Sequence, residues 1–134
     1  MKIFFDENFS PALAAGFACF QNGCRAEGVD VHHVIDHFDR GAPDEKWIPA
    51  IAQMHGVVIT QDFEIHRTKH LYGLCEQYKL GVFFFRPPKK TPYRYWQWIQ
   101  WVLHHWENIK LQAGVTTPPF GFAITPRSKT PERL

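Results

Sequence analysis

The sequence predicts an α/β fold built on a central, mainly parallel sheet, and three observations predict it. Short apolar runs rich in Val, Ile and Phe recur at Ile3 to Phe5, Val57 to Thr60 and Val82 to Phe85, each the length of one buried strand. Segments whose apolar residues follow helical spacing lie between them, so strand and helix alternate. Two acids stand just past two of these runs, Asp6 after Lys2 to Phe5 and Asp62 after Val57 to Gln61. Parallel strands would carry both to the edge where open α/β folds place their ligands.

The elements follow in order. After the first strand, Ser10-Pro11 reads as an N-cap with proline at the first helical position, and Leu13, Phe17 and Phe20 form the buried face. Asn22-Gly23 stops that helix. Val29 to Ile35 reads as a second strand, carrying His32 and His33, and Asp36 to Pro43 as a polar loop. A second helix is expected from Asp44 to about His55, with Asp44 as N-cap and Trp47, Ile48, Ile51 and Met54 facing inward. Pro49 interrupts it, which predicts a kink or a start later than Asp44. Gly56 precedes the strand Val57 to Thr60, a third helix covers about His66 to Tyr78, and Gly81 opens the strand Val82 to Phe85.

Arg86 to Pro92 is proline-rich but too short to link independent domains. It leads into the longest helix, about Pro92 to Leu111, with Tyr95, Trp98, Ile99, Val102, Trp106 and Ile109 on one stripe. Trp101 falls on the opposite side, which marks it as a candidate subunit, partner or base-stacking contact. Phe120 to Thr125 reads as a last strand and Pro126 to Leu134 as a frayed basic tail.

At 134 residues and 45% hydrophobic, the chain fits one domain, residues 1–134, with a real core. An acidic, site-bearing part (1–86) is joined to a basic, aromatic part (87–134). Residues 1–85 hold seven Lys or Arg against eleven Asp or Glu, and residues 86–134 hold eight against two. That asymmetry suits a cation in one place and a polyanion beside it. No segment reaches the run of apolar residues a membrane span needs, no signal peptide is evident, and three cysteines fit a reduced, cytoplasmic setting.

Two carboxylates ~5 Å apart at an effective dielectric near 20 repel by roughly 3 kcal/mol, so convergence of Asp6 and Asp62 calls for protonation or a bound cation. Phe5-Asp6-Glu7-Asn8, the segment Gly41 to Pro49 and Val58 to Asp62 together resemble the PIN-like family of nuclease-fold proteins. The compact toxins similar to VapC are the nearest group. The resemblance covers about residues 1 to 86 and implies a three-layer α/β/α sandwich, Mg²⁺ or Mn²⁺ as cofactor, and endoribonuclease activity. It also implies a cognate antitoxin and a homodimer. Carried over by position, Asp6, Asp44 and Asp62 are the catalytic, metal-binding acids. The usual site has four acids; Glu7, Glu45 and Glu64 are the candidates for the fourth.

Mg²⁺ takes oxygen ligands and keeps several waters, so two or three carboxylates suffice to hold it against a substrate phosphate. Arg67 and His66, at the start of the third helix, are candidate phosphate contacts. Lys89, Lys90 and Arg94, interleaved with Tyr93, Tyr95 and Trp96, resemble single-strand RNA-binding surfaces. His66 and His70, or Cys19 and Cys24 with His32 and His33, have spacings that could hold a transition metal, but ordinary surface and core roles weigh more. The expected function is an Mg²⁺-dependent endoribonuclease toxin. The alternative is a catalytically weak or inactive PIN-like scaffold that binds RNA or a protein.

Overall fold

A computed structural model describes the backbone of residues 1–61 and 65–134, and the side chains of residues 1–61 and 68–134. The elements are β1 (Lys2–Phe5), α1 (Pro11–Asn22), β2 (Asp30–His33), α2 (Asp44–Gln53), β3 (Gly56–Gln61), α3 (Ile65–Gln77), β4 (Gly81–Phe85), α4 (Tyr95–Val115), β5 (Phe120–Ile124) and β6 (Glu132–Arg133). Among the described residues the strands form one sheet in the order β2-β1-β3-β4-β5-β6. All pairs are parallel except β5 with β6.

Alternation along the strands sorts the core into two layers. Ile3, Phe5, Val57, Ile59, Phe83 and Phe85 face α1 and α4, where they meet Leu13, Phe17, Val102, Trp106 and Ile109. Phe4, Val58, Val82 and Phe84 face the other way, onto Trp47, Ile48 and Ile51 of α2 and Leu71 and Cys75 of α3. Helices thus cover both faces, the arrangement that lets parallel strands be apolar throughout. The three-layer sandwich is the observed architecture.

The chain steps from β1 outward to β2, then returns past β1 to β3, so the strand order reverses beside β1. The β3–α3–β4 and β4–α4–β5 connections step the same way along the sheet but place their helices on opposite faces. They therefore have opposite hands, and one departs from the right-handed rule. This puts α4 over the face that α1 alone would leave largely uncovered.

Local chemistry explains most element ends. The Ser10 hydroxyl accepts from the amides of Ala12 and Leu13, and Pro11 opens α1 as expected. Gly81 lies under the ring of Phe120, where any Cβ would collide.

Several expectations are corrected. Strand β2 ends at His33, because Val34–Asp36 turn into a short 3₁₀ segment in which Asp36 accepts from the His33 amide. Pro43, not Asp44, is the N-cap of α2, and the helix neither starts late nor excludes Pro49, which sits within it. Phe20 is 66% exposed, since it lies beyond the contact with α4 that buries Phe17. Tyr95 is also exposed, in the first turn of α4 before that helix reaches the sheet.

Trp101 is buried rather than exposed. Its ring meets Phe85 edge-on at 4.9 Å and Tyr93 at 5.0 Å, so the buried stripe of α4 is centred nearer Trp98, Trp101 and His105 than the helical wheel suggested. Tyr93, from the preceding connection, covers the flank that a wheel drawn on one helix leaves open. Trp101 is a core residue and cannot serve as the partner or oligomer contact expected of it. The C-terminal tail is not frayed: Ser128 and Pro131 are buried, β6 pairs with β5, and the Leu134 amide donates to the carbonyl of Gly121.

Candidate active site at the carboxyl edge of the sheet

Asp6 lies immediately past β1, at the place where the strand order reverses. Its amide continues the ladder onto the Ile59 carbonyl at 3.1 Å, and the carboxylate is buried at 2% exposure. Period-two alternation carries Phe4 to Asp6 and Val58 to Thr60, so both polar side chains lie on the α2–α3 side of the sheet. There the Thr60 hydroxyl donates to Oδ2 of Asp6. The Asn8 backbone amide donates to Oδ1 at 3.1 Å, and the Asn8 side-chain amide to Oδ2 at 3.4 Å. Donors of this kind offset the cost of burying a carboxylate and fix its rotamer.

The loop after Asp6 is itself anchored. The Phe9 amide donates to the Asp6 carbonyl, and the Phe9 carbonyl accepts from Nε2 of His33 at 2.8 Å. Nδ1 of His33 accepts from the Ile35 amide, so both ring nitrogens of this buried histidine are used and the proton resides on Nε2. The end of β2 and the Asp6 loop are thereby locked together.

Other candidate residues occupy varied positions. Glu7 turns away from Asp6, and its Oε1 accepts from the Gly41 amide at 2.7 Å. Gly41 has φ +75°, a left-handed conformation that suits glycine, so this bond holds a tight loop running toward Asp44. Asp44 is half-buried at the first position of α2 and accepts from the Trp47 indole at 3.1 Å. Glu45 is exposed and pairs with His70 of α3 at 2.9 Å, and its carboxyl is lowered by a backbone hydrogen bond and then by that histidine. Lys89, Lys90 and Arg94 are exposed on the connection between β4 and α4. Asp62 and Glu64 lie outside the described residues. His66 and Arg67 fall in α3, with their side chains outside the described set.

Among the described residues no three of His, Cys, Asp or Glu converge as a metal-binding group. Asp6 and Asp44 engage different partners. The Asp6 carboxylate is nevertheless the kind of oxygen ligand a hard cation takes, and it is buried, fixed in rotamer and placed at the switch point. The cysteine–histidine constellation does not assemble: Cys19 and Cys24 are exposed on the surface, and His33 is committed to backbone partners. Of the His66 and His70 pair, His70 bonds Glu45 and the His66 side chain lies outside the described residues.

The residues whose structural roles sequence reasoning missed are Thr60, Asn8 and His33. A polar residue at the end of an apolar strand, two positions from a buried valine, was the available signal for Thr60. Asn8 acts on Asp6 only two residues away, through a turn after the strand end, whereas the role of His33 depends on Phe9 in another segment, which only the register of β1 and β2 reveals.

A hollow of about 380 Å³ lies at the opposite edge of the strands, near Met1, His55, Gly56, Lys79 and Thr116. No Asp or Glu is among the residues that line it. None of the helices among the described residues is long and apolar enough to cross a membrane.

A family model described as PIN like domain matches residues 1–87. No curated protein and no solved structure matches the chain. The matched span runs from β1 through β4 and includes Asp6, Thr60 and the segment containing Asp62. With that span, the parallel sheet and the buried acid at its switch point, the chain belongs to the PIN-like domain family, a nuclease-type scaffold.

Proposed function

We propose that this chain is a divalent-metal-dependent endoribonuclease, acting as a cytoplasmic toxin restrained by a cognate antitoxin protein. The observation that carries the reading is Asp6, a buried carboxylate held by Thr60 and Asn8 at the switch point of the sheet. Asp6 would hold the cation, with Asp62 from the end of β3 and Asp44 from α2 as the further acids. Mg²⁺ or Mn²⁺, when bound, supplies Lewis-acid polarisation of the scissile phosphate and an activated water. Thr60 and Asn8 keep the Asp6 carboxylate oriented, and Lys89, Lys90 and Arg94 provide counter-charge for the RNA backbone. A homodimer, if formed, would need a surface other than the buried Trp101.

The test is cleavage of RNA with Mg²⁺, comparing wild type with Asp6→Asn and Asp62→Asn. Loss of cleavage in both is expected. Metal-dependent cleavage that survives both substitutions sinks the assignment.

A second reading, a non-catalytic PIN-like scaffold that binds RNA or protein, is favoured by the Asp44–Trp47 bond, which occupies one of the expected acids. Titration with Mn²⁺ separates the two. A nuclease binds the ion in an Asp6-dependent way at millimolar concentration, and a scaffold does not.

A further inference from the structure

We propose that the exposed pair Tyr95–Trp96 is a base-stacking platform that selects single-stranded RNA for the edge where Asp6 lies. The proposal rests on the ribonuclease reading above and names the form of its substrate.

Burial of the tryptophans is the first observation. Trp47, Trp101 and Trp106 are 4%, 8% and 6% exposed, and Trp98 packs among Phe9, Phe85 and Tyr93. Trp96 is 71% exposed, and Tyr95 beside it 44%. Their rings meet edge to face, with centroids 5.3 Å apart and planes at 78°. Such a contact steadies both rings while leaving an indole face open to a flat partner.

Position is the second. The connection to α4 leaves the carboxyl end of β4, and Asp6 follows the carboxyl end of β1 in the same parallel sheet. The two are physically joined: Phe9, whose amide bonds the Asp6 carbonyl, packs edge-on against Trp98 at 5.3 Å. The first turn of α4 therefore stands beside the Asp6 loop on the α1–α4 face of the sheet, while the Asp6 carboxylate is turned to the α2–α3 face, so a strand held on the platform reaches it by crossing the carboxyl edge.

Charge is the third. Lys89, Lys90 and Arg94 are exposed just ahead of the pair, and no Asp or Glu occurs from residue 77 to residue 106. An acidic peptide would match the cations but would leave the aromatic faces unused. A nucleic acid strand uses both, with phosphates on the cations and a base on the ring. In a duplex the bases are already stacked on one another, so only a single strand can present one.

The experiment measures binding of a fluorescent single-stranded oligoribonucleotide, and of the same sequence annealed to its complement, to the full chain. It is done without divalent ions, so that binding is read apart from cleavage. Trp96→Ala should weaken single-strand binding by roughly 5- to 100-fold, as expected for losing one stacked base, and leave duplex binding unchanged. Trp96→Phe should retain most of the affinity. Replacing Lys89 and Lys90 by Ala should lower the salt dependence, with the slope falling by about 0.7 per lost phosphate contact.

Single-strand affinity unchanged in Trp96→Ala, or equal binding of single strand and duplex by wild type, overturns the proposal. So does a wild-type dimer in solution that Trp96→Ala converts to monomer, because the pair is then a self-interface. Failure is distinguishable from failure of the parent reading. Asp6-dependent cleavage with Trp96-independent binding removes only the platform, whereas Trp96-dependent binding with no cleavage removes only the nuclease.

Discussion

The hydroxyl of Thr60 donates to the carboxylate of Asp6 across adjacent parallel strands, joining two positions 54 residues apart in the chain. This contact forms because β1 and β3 pair with Phe5 opposite Ile59, which sets the next residues of each strand side by side.

Thr60→Val keeps the shape of the side chain and removes its donor. A buried charge-assisted hydrogen bond is lost, so stability to urea should fall by about 1–3 kcal/mol. Thr60→Ser should recover most of it. Equal stability of Thr60→Val and wild type would mean that the bond contributes nothing.

Glu7 is expected to position a loop through its acceptor oxygen, not to bind metal through its charge. Glu7→Gln keeps an acceptor for the Gly41 amide and should retain Mn²⁺ affinity and resistance to proteolysis within residues 37–43. Glu7→Ala should lose the proteolytic protection. A similar loss of Mn²⁺ affinity in both variants would instead mark Glu7 as a ligand.

Trp101 and Trp96 should respond oppositely to truncation. Trp101→Ala opens a cavity against Phe85 and Tyr93 and should cost roughly 3–5 kcal/mol. Trp96→Ala should change stability by no more than about 0.5 kcal/mol, because its ring is on the surface. Chemical denaturation of the two variants decides between them.

Acid should destabilise the fold through His32 and His105. Burial holds the imidazoles of both below their ordinary value near 6.5, helped by His37 at His32 and by His104 at His105. The unfolded chain therefore binds these protons more readily. The stability contribution is present above about pH 6.5 and is lost as pH falls below it. His105 has a buried Nδ1 without a hydrogen-bond partner, so His105→Leu should flatten the acid limb of urea midpoint against pH. An unchanged limb would exclude His105 as a source.

Alkali should act through Cys75, whose thiol burial pushes up to about 12, with Asp44 adding to the effect. The folded chain keeps that proton longer than the unfolded one, so stability should decline as pH rises from about 9 toward about 12. A thiol reagent near neutral pH should modify Cys19 and Cys24 in the folded protein and reach Cys75 only after unfolding.

The order of strands and helices was legible in the sequence because each apolar run has its own local period and its own stop signals. Ser10-Pro11 and Asn22-Gly23 bound α1 through nearest-neighbour chemistry, and Phe83 to Phe85 could be little but a buried strand. Asp6 was legible too, as an acid at the abrupt end of such a run.

Facing and partnership were decided by the tertiary structure. Whether Trp101 is core or surface depends on Tyr93 folding back over α4, and the tail becomes a strand only because β5 offers it an edge. The same holds for Asp6: its Thr60 donor comes from another strand and is set by register, while the anchor of its loop on His33 comes from a third. Period and capping are properties of a few consecutive residues, whereas burial and hydrogen bonding are settled between segments that only the completed sheet brings together.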